Sequence, residues 1–216
     1  LPELRRYLFV VESQVIATEA LPKMLNQIGW RGGESICDAQ AQVLYYQRTP
    51  AGRVVFGRGS GKVAFGGRFG AEFNRSPEHG RDNLRELARV YPALSAAKTD
   101  FDWAGPIDCT AQHIPVFDHL QGCPNIFFGM GFNGTGIAQT PIAGRILASL
   151  VLGLKDRWSG SGLVGLHKRT ALPPEPIRYI GARIVRQAIR LRNAAEIQNK
   201  TANWLVRFVS NLKPGG

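Results

Sequence analysis

The stretch NIFFGMGFNGTGIAQTPIAGRILASLVLG, residues 125–153, decides how the rest of the chain is read. It opens on a strongly apolar run, passes through Gly129, Gly131, Gly134 and Gly136, and closes on an apolar segment with helical character. The pattern reads as strand, glycine-rich turn and helix, the helix covering roughly 137–153. Glycine permits tight backbone and close ligand approach. A helix N-terminus presents unpaired N–H groups and a partial positive charge. Such a turn can therefore face an anion or an electron-rich carbonyl, although the same strand-to-helix turn also occurs with no ligand. It is not the first turn of a dinucleotide-binding domain, which needs a βαβ unit and an acidic residue about 20 residues further on. Here that region is the polar loop RWSGSG, 157–162.

On its N-terminal side the chain alternates extended and helical segments. YLFVVESQVIAT (7–18) reads as a strand, EALPKMLNQIG (19–29) as a short helix, and SICDA (35–39) as extended. VLYYQRT (43–49) and RVVFG (53–57), joined by PAG, read as a hairpin. SPEHGRDNLRELARVYPAL (76–94) reads as a helix with Ser76 as N-cap and Pro77 in its first turn. Its apolar face carries Leu84, Leu87, Ala88 and Tyr91. TDFDWAGPIDC (99–109) and HIPVF (113–117) read as strands. After the stiff linker LPPEP (172–176), IRYIGARIVRQAIRLR (177–192) is a basic amphipathic helix, and a further helix carries Trp204, Leu205, Phe208, Val209 and Leu212. The grouped, hairpin-linked strands predict an α+β fold: a mixed, largely antiparallel sheet with helices on one face.

Composition narrows the function. With 44% hydrophobic and 20% charged residues, the 216-residue chain can bury a core. It has no run of about 18 apolar residues, so no transmembrane helix is expected. The start lacks an initiator Met and a signal-peptide pattern, and it enters an apolar run almost at once, as a piece of a longer protein would. Cys37, Cys109 and Cys123 give an odd count with no C-x-x-C pair, which predicts reduced thiols in a cytoplasmic setting, no disulfide framework and no metal site. Of the net charge of +11, most belongs to residues 155–216, where 12 Lys and Arg face 3 Asp and Glu. That tail could meet nucleic acid, an anionic membrane or an acidic protein face, but no nucleic-acid motif accompanies it. GRGSGK (57–62) is not a phosphate-binding loop: Phe56 stands where the first glycine belongs, Val63 follows Lys62, and no helix is expected after it. His113 could serve as a base or a loop residue; Tyr46 and Arg48 share one face of their strand.

Taken in order, four segments resemble the C-terminal half of the FAD-dependent amine and amino-acid oxidoreductases of the D-amino-acid oxidase, glycine oxidase and sarcosine oxidase superfamily. They are VIATEALP (15–22), YYQRTPAGRVVFGRG (45–59), FDWAGPIDCTAQHIPVF (101–117) and the stretch quoted first. The resemblance spans roughly residues 1–155. It implies a substrate-domain portion over 1–124, the returning strand, turn and helix of the FAD domain over 125–156, and a basic helical extension over 157–216. The FAD-binding N-terminal half is absent. It implies FAD as cofactor, with Gly131, Asn133, Gly134, Thr135, Gly136, Ile137 and Ala138 against the flavin and most other contacts supplied by the missing half. It also implies a small amine or amino acid as substrate, met by Tyr46, Arg48, Asp108 and Phe132, with His113 as the catalytic candidate. Family members that grip a carboxylate often place an Arg after Trp-x-Gly or in the glycine-rich turn. Here those positions read Pro106-Ile107-Asp108 and Phe132-Asn133-Gly134-Thr135, so an amine without that carboxylate is favoured, with Asp108 available for a second ammonium group. The piece alone is expected to be inactive and to self-associate through the surface the missing domain would cover. The competing expectation is a non-catalytic binding module with a basic tail.

Overall fold

The computed structural model describes residues 2–59 and 61–212; Leu1, Ser60 of the glycine-rich loop and the last four positions of the basic extension lie outside the described residues. In chain order the elements are α1 (Pro2–Arg5), β1 (Leu8–Thr18), α2 (Pro22–Gln27), β2 (Ser35–Cys37), β3 (Leu44–Arg48), β4 (Val54–Arg58), α3 (Pro77–Val90), β5 (Thr99–Thr110), β6 (Val116–Leu120), β7 (Cys123–Met130), α4 (Gly136–Val151), α5 (Ile177–Ile197) and α6 (Trp204–Ser210). Short 3-10 turns fill some of the connections.

Five strands form one sheet in the order β2-β3-β4-β1-β5, and β6 pairs with β7 in a second, two-stranded sheet. The strand pairs are antiparallel throughout. The fold is α+β, as the sequence predicts. β1, with 11 residues, lies between β4 and β5 and pairs with β5 along its whole length. In an antiparallel ladder, residues opposite one another share a face. One face therefore carries Ile16, Phe56, Tyr46 and Ile36 in a row, and α2 and α3 cover it. There Ile16, Leu25, Leu44, Val54, Phe56, Leu87 and Leu94 are fully buried in one apolar cluster. Burial of a side chain of this size is worth about 1.5–3 kcal/mol.

Helix α3 differs in detail from its sequence reading. Ser76 stands at the N-cap, but its side chain makes no capping bond. Instead its buried backbone N–H donates to Gln14 Oε1 at 2.9 Å. Asn83 of this helix, not predicted as buried, is buried against the sheet and donates to the Gln14 carbonyl at 2.9 Å. HIPVF also begins later as a strand: His113 adopts a left-handed backbone, φ 52°, and the strand starts at Val116.

Strand β5 is an edge, and its unpaired backbone groups are dealt with residue by residue. Ala104 N donates to the Asn74 carbonyl at 2.8 Å. Pro106, on the same outward parity, has no N–H to leave unpaired. Beyond it, the segment after β7 lies against Asp108 and Thr110. Helix α4 packs Ala143 and Ile146 against Phe117 of β6 in a cluster separate from the main core. Helix α5 crosses the N-terminal end of β1: Arg178 donates to the Leu8 carbonyl, and Asn193 Oδ1 accepts from buried Gln42 N at 3.1 Å.

Candidate functional site

The turn between β7 and α4 is shaped by three left-handed residues, Gly131 (φ 77°), Asn133 (φ 54°) and Gly134 (φ 84°). Glycine is required at 131 on two counts. The backbone is left-handed, and a Cβ there would stand 2.3 Å from Thr110 Cγ2. Asn133 is the non-glycine residue type best suited to this region, and its side chain explains why it is there. Asn133 Oδ1 accepts from Thr110 N at 3.1 Å, and its backbone N–H donates to the Asp108 carbonyl at 3.0 Å. Asp108 Oδ2 accepts from Gly131 N. The turn is thus tied to the edge of β5 by a carboxylate, a carbonyl and an amide.

Helix α4 then begins without the features that usually neutralise a helix start. Thr135 is the N-cap, yet its side chain makes no capping bond and the first turn contains no acidic residue. Its hydroxyl donates to the Phe132 carbonyl at 3.0 Å instead. Gly134, Thr135, Ile137 and Ala138 are exposed, and Ile137 is 94% exposed. The partial positive charge of a 16-residue helix therefore faces outward, uncompensated by a side-chain cap. Pro141 lies inside the helix and cannot donate to the Ile137 carbonyl; the Thr140 hydroxyl does so at 2.9 Å.

The turn reaches the face of the sheet opposite α2 and α3 through Ile107, whose Cδ1 would lie 3.2 Å from a Cβ at Gly134; α5 stands over the Phe9 and Val11 end of this face. On that face the ladder sets Tyr45, Gly57, Val15 and Trp103 in one row, and Ser13 beside Gly105 in the next. A side chain at 57 would strike the Tyr45 ring, at 2.2 Å from Cε2, so glycine lets the tyrosine lie across β4. The Tyr45 hydroxyl meets Ser13 Oγ at 2.6 Å. Burial pushes the Tyr45 pKa up, partly offset by the serine bond, so it is a neutral hydroxyl at physiological pH. Trp103 is 43% exposed and Phe101, two residues before it, 56% exposed.

The structure brings together the turn residues Gly131, Asn133, Gly134, Thr135, Gly136, Ile137 and Ala138, with Asp108 as their anchor. It does not bring the other sequence candidates to this part of the face. Tyr46 stacks on Phe56, with ring centroids 5.4 Å apart, and meets Trp30 and Tyr91 on the helix-covered side. Arg48, on the same side, donates to Asn26 Oδ1 at 2.9 Å and to the Trp30 carbonyl. Phe132 packs edge-on against Phe117, 6.1 Å between centroids, within the α4 cluster. His113 lies beyond the end of β5, exposed, at the pocket that Phe9, Val11 and Cys109 line at the far end of this face, away from the turn before α4. Sequence reading chose Tyr46 over Tyr45 because two adjacent aromatics carry no parity signal by themselves. The signal was available at Gly57 and Gly105, the glycines that share Tyr45's face.

The chain belongs to the FAD-dependent oxidoreductase family. The profile described as "FAD dependent oxidoreductase" matches residues 1–150. A probable oxidoreductase, OrdL, of Haemophilus influenzae is 32% identical over 156 residues, which is 72% of this chain and 33% of the relative. The gamma-glutamylputrescine oxidoreductase of Escherichia coli is 29% identical over 157 residues, 73% of this chain and 34% of the relative. The chain thus spans about a third of the length of the curated relatives it matches. In fold it is similar to the iminodiacetate oxidase of Chelativorans sp. BNC1, with a TM-score of 0.53 at 22% identity, covering 79% of this chain and 42% of that one. Among the described residues no group of side chains is placed to hold a metal ion, and no helix is long and apolar enough to cross a membrane.

Proposed function

We propose that this chain supplies the substrate face and one flavin edge of an FAD-dependent enzyme that oxidises a small amine or amino acid at the carbon beside nitrogen. The observation that carries the reading is the exposed, uncapped start of α4, held at the edge of β5 beside an open sheet face. The donor set fits a flavin. Backbone N–H groups and glycines replace bulky or acidic side chains where a ring edge must approach, with Gly131, Asn133 and Gly134 shaping the turn and Thr135, Gly136, Ile137 and Ala138 opening the helix. When bound, FAD accepts a hydride from the substrate and carries the negative charge that results.

The residues of this chain hold and orient. The start of α4 stabilises negative charge in front of it. Tyr45 and Ser13 offer a neutral hydrogen-bonding pair to the polar part of the substrate, while Trp103, Ile107 and the gap at Gly105 give an apolar surface that keeps water from the reacting carbon. Asp108 serves the turn as its anchor, and Tyr46 and Arg48 serve the opposite face. In this reading residues 1–124 form the substrate portion, and 125–156 form the strand, turn and helix that return to the cofactor half. That half contributes the remaining FAD contacts and covers Ile137, Trp103 and Phe101. Three cysteines without a disulfide among them, two of them exposed, suit a reducing, cytoplasmic compartment.

The test places a charge at the exposed first turn. In the protein expressed from its whole gene, Ile137→Asp lowers the two-electron potential of the bound flavin, while the near-isosteric Ile137→Asn leaves it close to wild type. In the 216-residue chain the same Asp stabilises the fold by about 0.3–1 kcal/mol, because an acid at a helix start is favourable. Equal potentials for the two variants would remove α4 from the flavin edge.

A further inference from the structure

Helices α5 and α6 carry an outer surface that the reading above does not use, and the family match, which covers residues 1–150, leaves both helices outside it. Helix α5 holds the body of the protein along one side: Arg178 donates to the Leu8 carbonyl at 3.1 Å, and Ala188 and Asn193 are buried. Ile180, Ile184 and Leu191 are exposed on its outer side, and none of them lines the pocket that Val185 and Ile189 form with the sheet. Their spacing of four and seven residues sets them in one stripe. Helix α6 packs against α5, with Ser210 buried and Asn211 Oδ1 accepting from Arg192 at 3.0 Å. Trp204 and Phe208, one helical turn apart, are left outward, Trp204 at 76% exposure.

Between residues 177 and 212 every charged side chain is basic except Glu196, which pairs with Arg192 at 2.7 Å. Arg183 follows Ile180 by three residues and Arg207 follows Trp204 by three, so each apolar stripe has a guanidinium beside it. Among the described residues Arg183, Arg190, Lys200 and Arg207 form no ion pair. A nucleic-acid backbone would answer these cations alone and leave the apolar side chains against water. The boundary of an anionic bilayer answers both: headgroups take the basic groups, the acyl edge takes isoleucine, leucine and phenylalanine, and tryptophan sits at the level between. Neither helix is long and apolar enough to cross a membrane, so both would lie in the plane of its surface.

We propose that the outer face of α5 and α6 docks on an anionic lipid surface. The face needs no flavin and is independent of the oxidoreductase reading. The test is co-sedimentation of the protein expressed from its whole gene with vesicles of phosphatidylcholine, alone or mixed with phosphatidylglycerol. The protein binds the mixed vesicles saturably and the neutral ones about tenfold more weakly, and added salt weakens the first. Ile184→Ser combined with Phe208→Ser lowers affinity for the mixed vesicles about tenfold. Arg183→Glu combined with Arg207→Glu removes the preference for them. All four side chains are exposed, so both variants keep the wild-type melting profile. Should either variant not fold, the wild-type protein supplies a second measurement: mixed vesicles retain it more tightly than duplex DNA of equal charge. Absence of vesicle binding, equal binding to both vesicle types, full binding by a folded double-serine variant, or tighter retention on DNA would overturn the proposal.

Discussion

Gly131 and Asp108 set the position of the turn between β7 and α4, and both answer to simple substitutions. Gly131→Ala forces a Cβ into a left-handed backbone and against the Thr110 methyl. The two effects together cost about 3 kcal/mol, measured as a fall in the urea midpoint. At Asp108 the pair Asn and Ala separates two roles. An Asn oxygen can still accept from Gly131 N, so Asp108→Asn keeps amine turnover near wild type, whereas Asp108→Ala loses stability by about 2 kcal/mol and loosens FAD. A large loss of diamine turnover in Asp108→Asn alone would return the carboxylate to the substrate. The thiols give a third check. Burial pushes Cys109 up to about 12, with Asp108 adding to the shift, so at mildly alkaline pH it alkylates only on unfolding while Cys37 and Cys123 react quickly. The residue types at this site were legible from the order of four segments and their glycines. The facing of single side chains was not, because parity within YY, and the pull of Phe117 on Phe132, are set by long-range packing.

Among elements, α5 is the one whose placement the sequence left open. Its amphipathic period was plain, but its partners lie more than a hundred residues away: Arg178 with Leu8, Asn193 with Gln42, and Arg186 with His79. The last contact closes a buried polar clasp joining β1, α3 and α5. His79 Nδ1 lies 2.9 Å from Glu12 Oε2, whose oxygen also accepts from Lys62 N at 3.0 Å, and Lys62 Nζ is 4.0 Å from Glu12 Oε1. Burial, with Arg186 and Lys62 nearby, lowers the His79 pKa below its ordinary 6.5, although Glu12 acts in the opposite sense. The folded state therefore favours neutral His79, and the unfolded chain takes up the proton first as pH falls. Its contribution to stability is fully present above 6.5 and is lost as pH falls from there towards the folded value. Melting temperature is expected to fall between about pH 7 and 5.5, and to fall less in His79→Gln; an identical slope in that variant would place the titration elsewhere.

At the scale of the whole molecule, large apolar side chains are exposed on two sides of the described surface. Ile137, Ile142, Leu152 and Ile126 lie on the α4 and β7 side, and Phe101 and Trp103 on the open sheet face. Exposed apolar side chains gathered in this way suit an interface. We expect the 216-residue chain to sediment with a concentration-dependent mass, and the protein expressed from its whole gene to lose that behaviour. The largely antiparallel sheet, its hairpin and the strand–turn–helix were readable because they follow β-rich segments, turn residues and glycine placement; the strand order was not. The extent of uncovered surface was not, since burial depends on what else the chain meets. The most direct measurement of the central claim is anaerobic mixing of small primary and secondary amines with the protein expressed from its whole gene, following the visible flavin band. The account predicts tightly bound FAD that is bleached by at least one amine, with bleaching slowed in Ser13→Ala and Tyr45→Phe. Protein that takes up no FAD, or bound FAD that no amine or amino acid reduces, would contradict it.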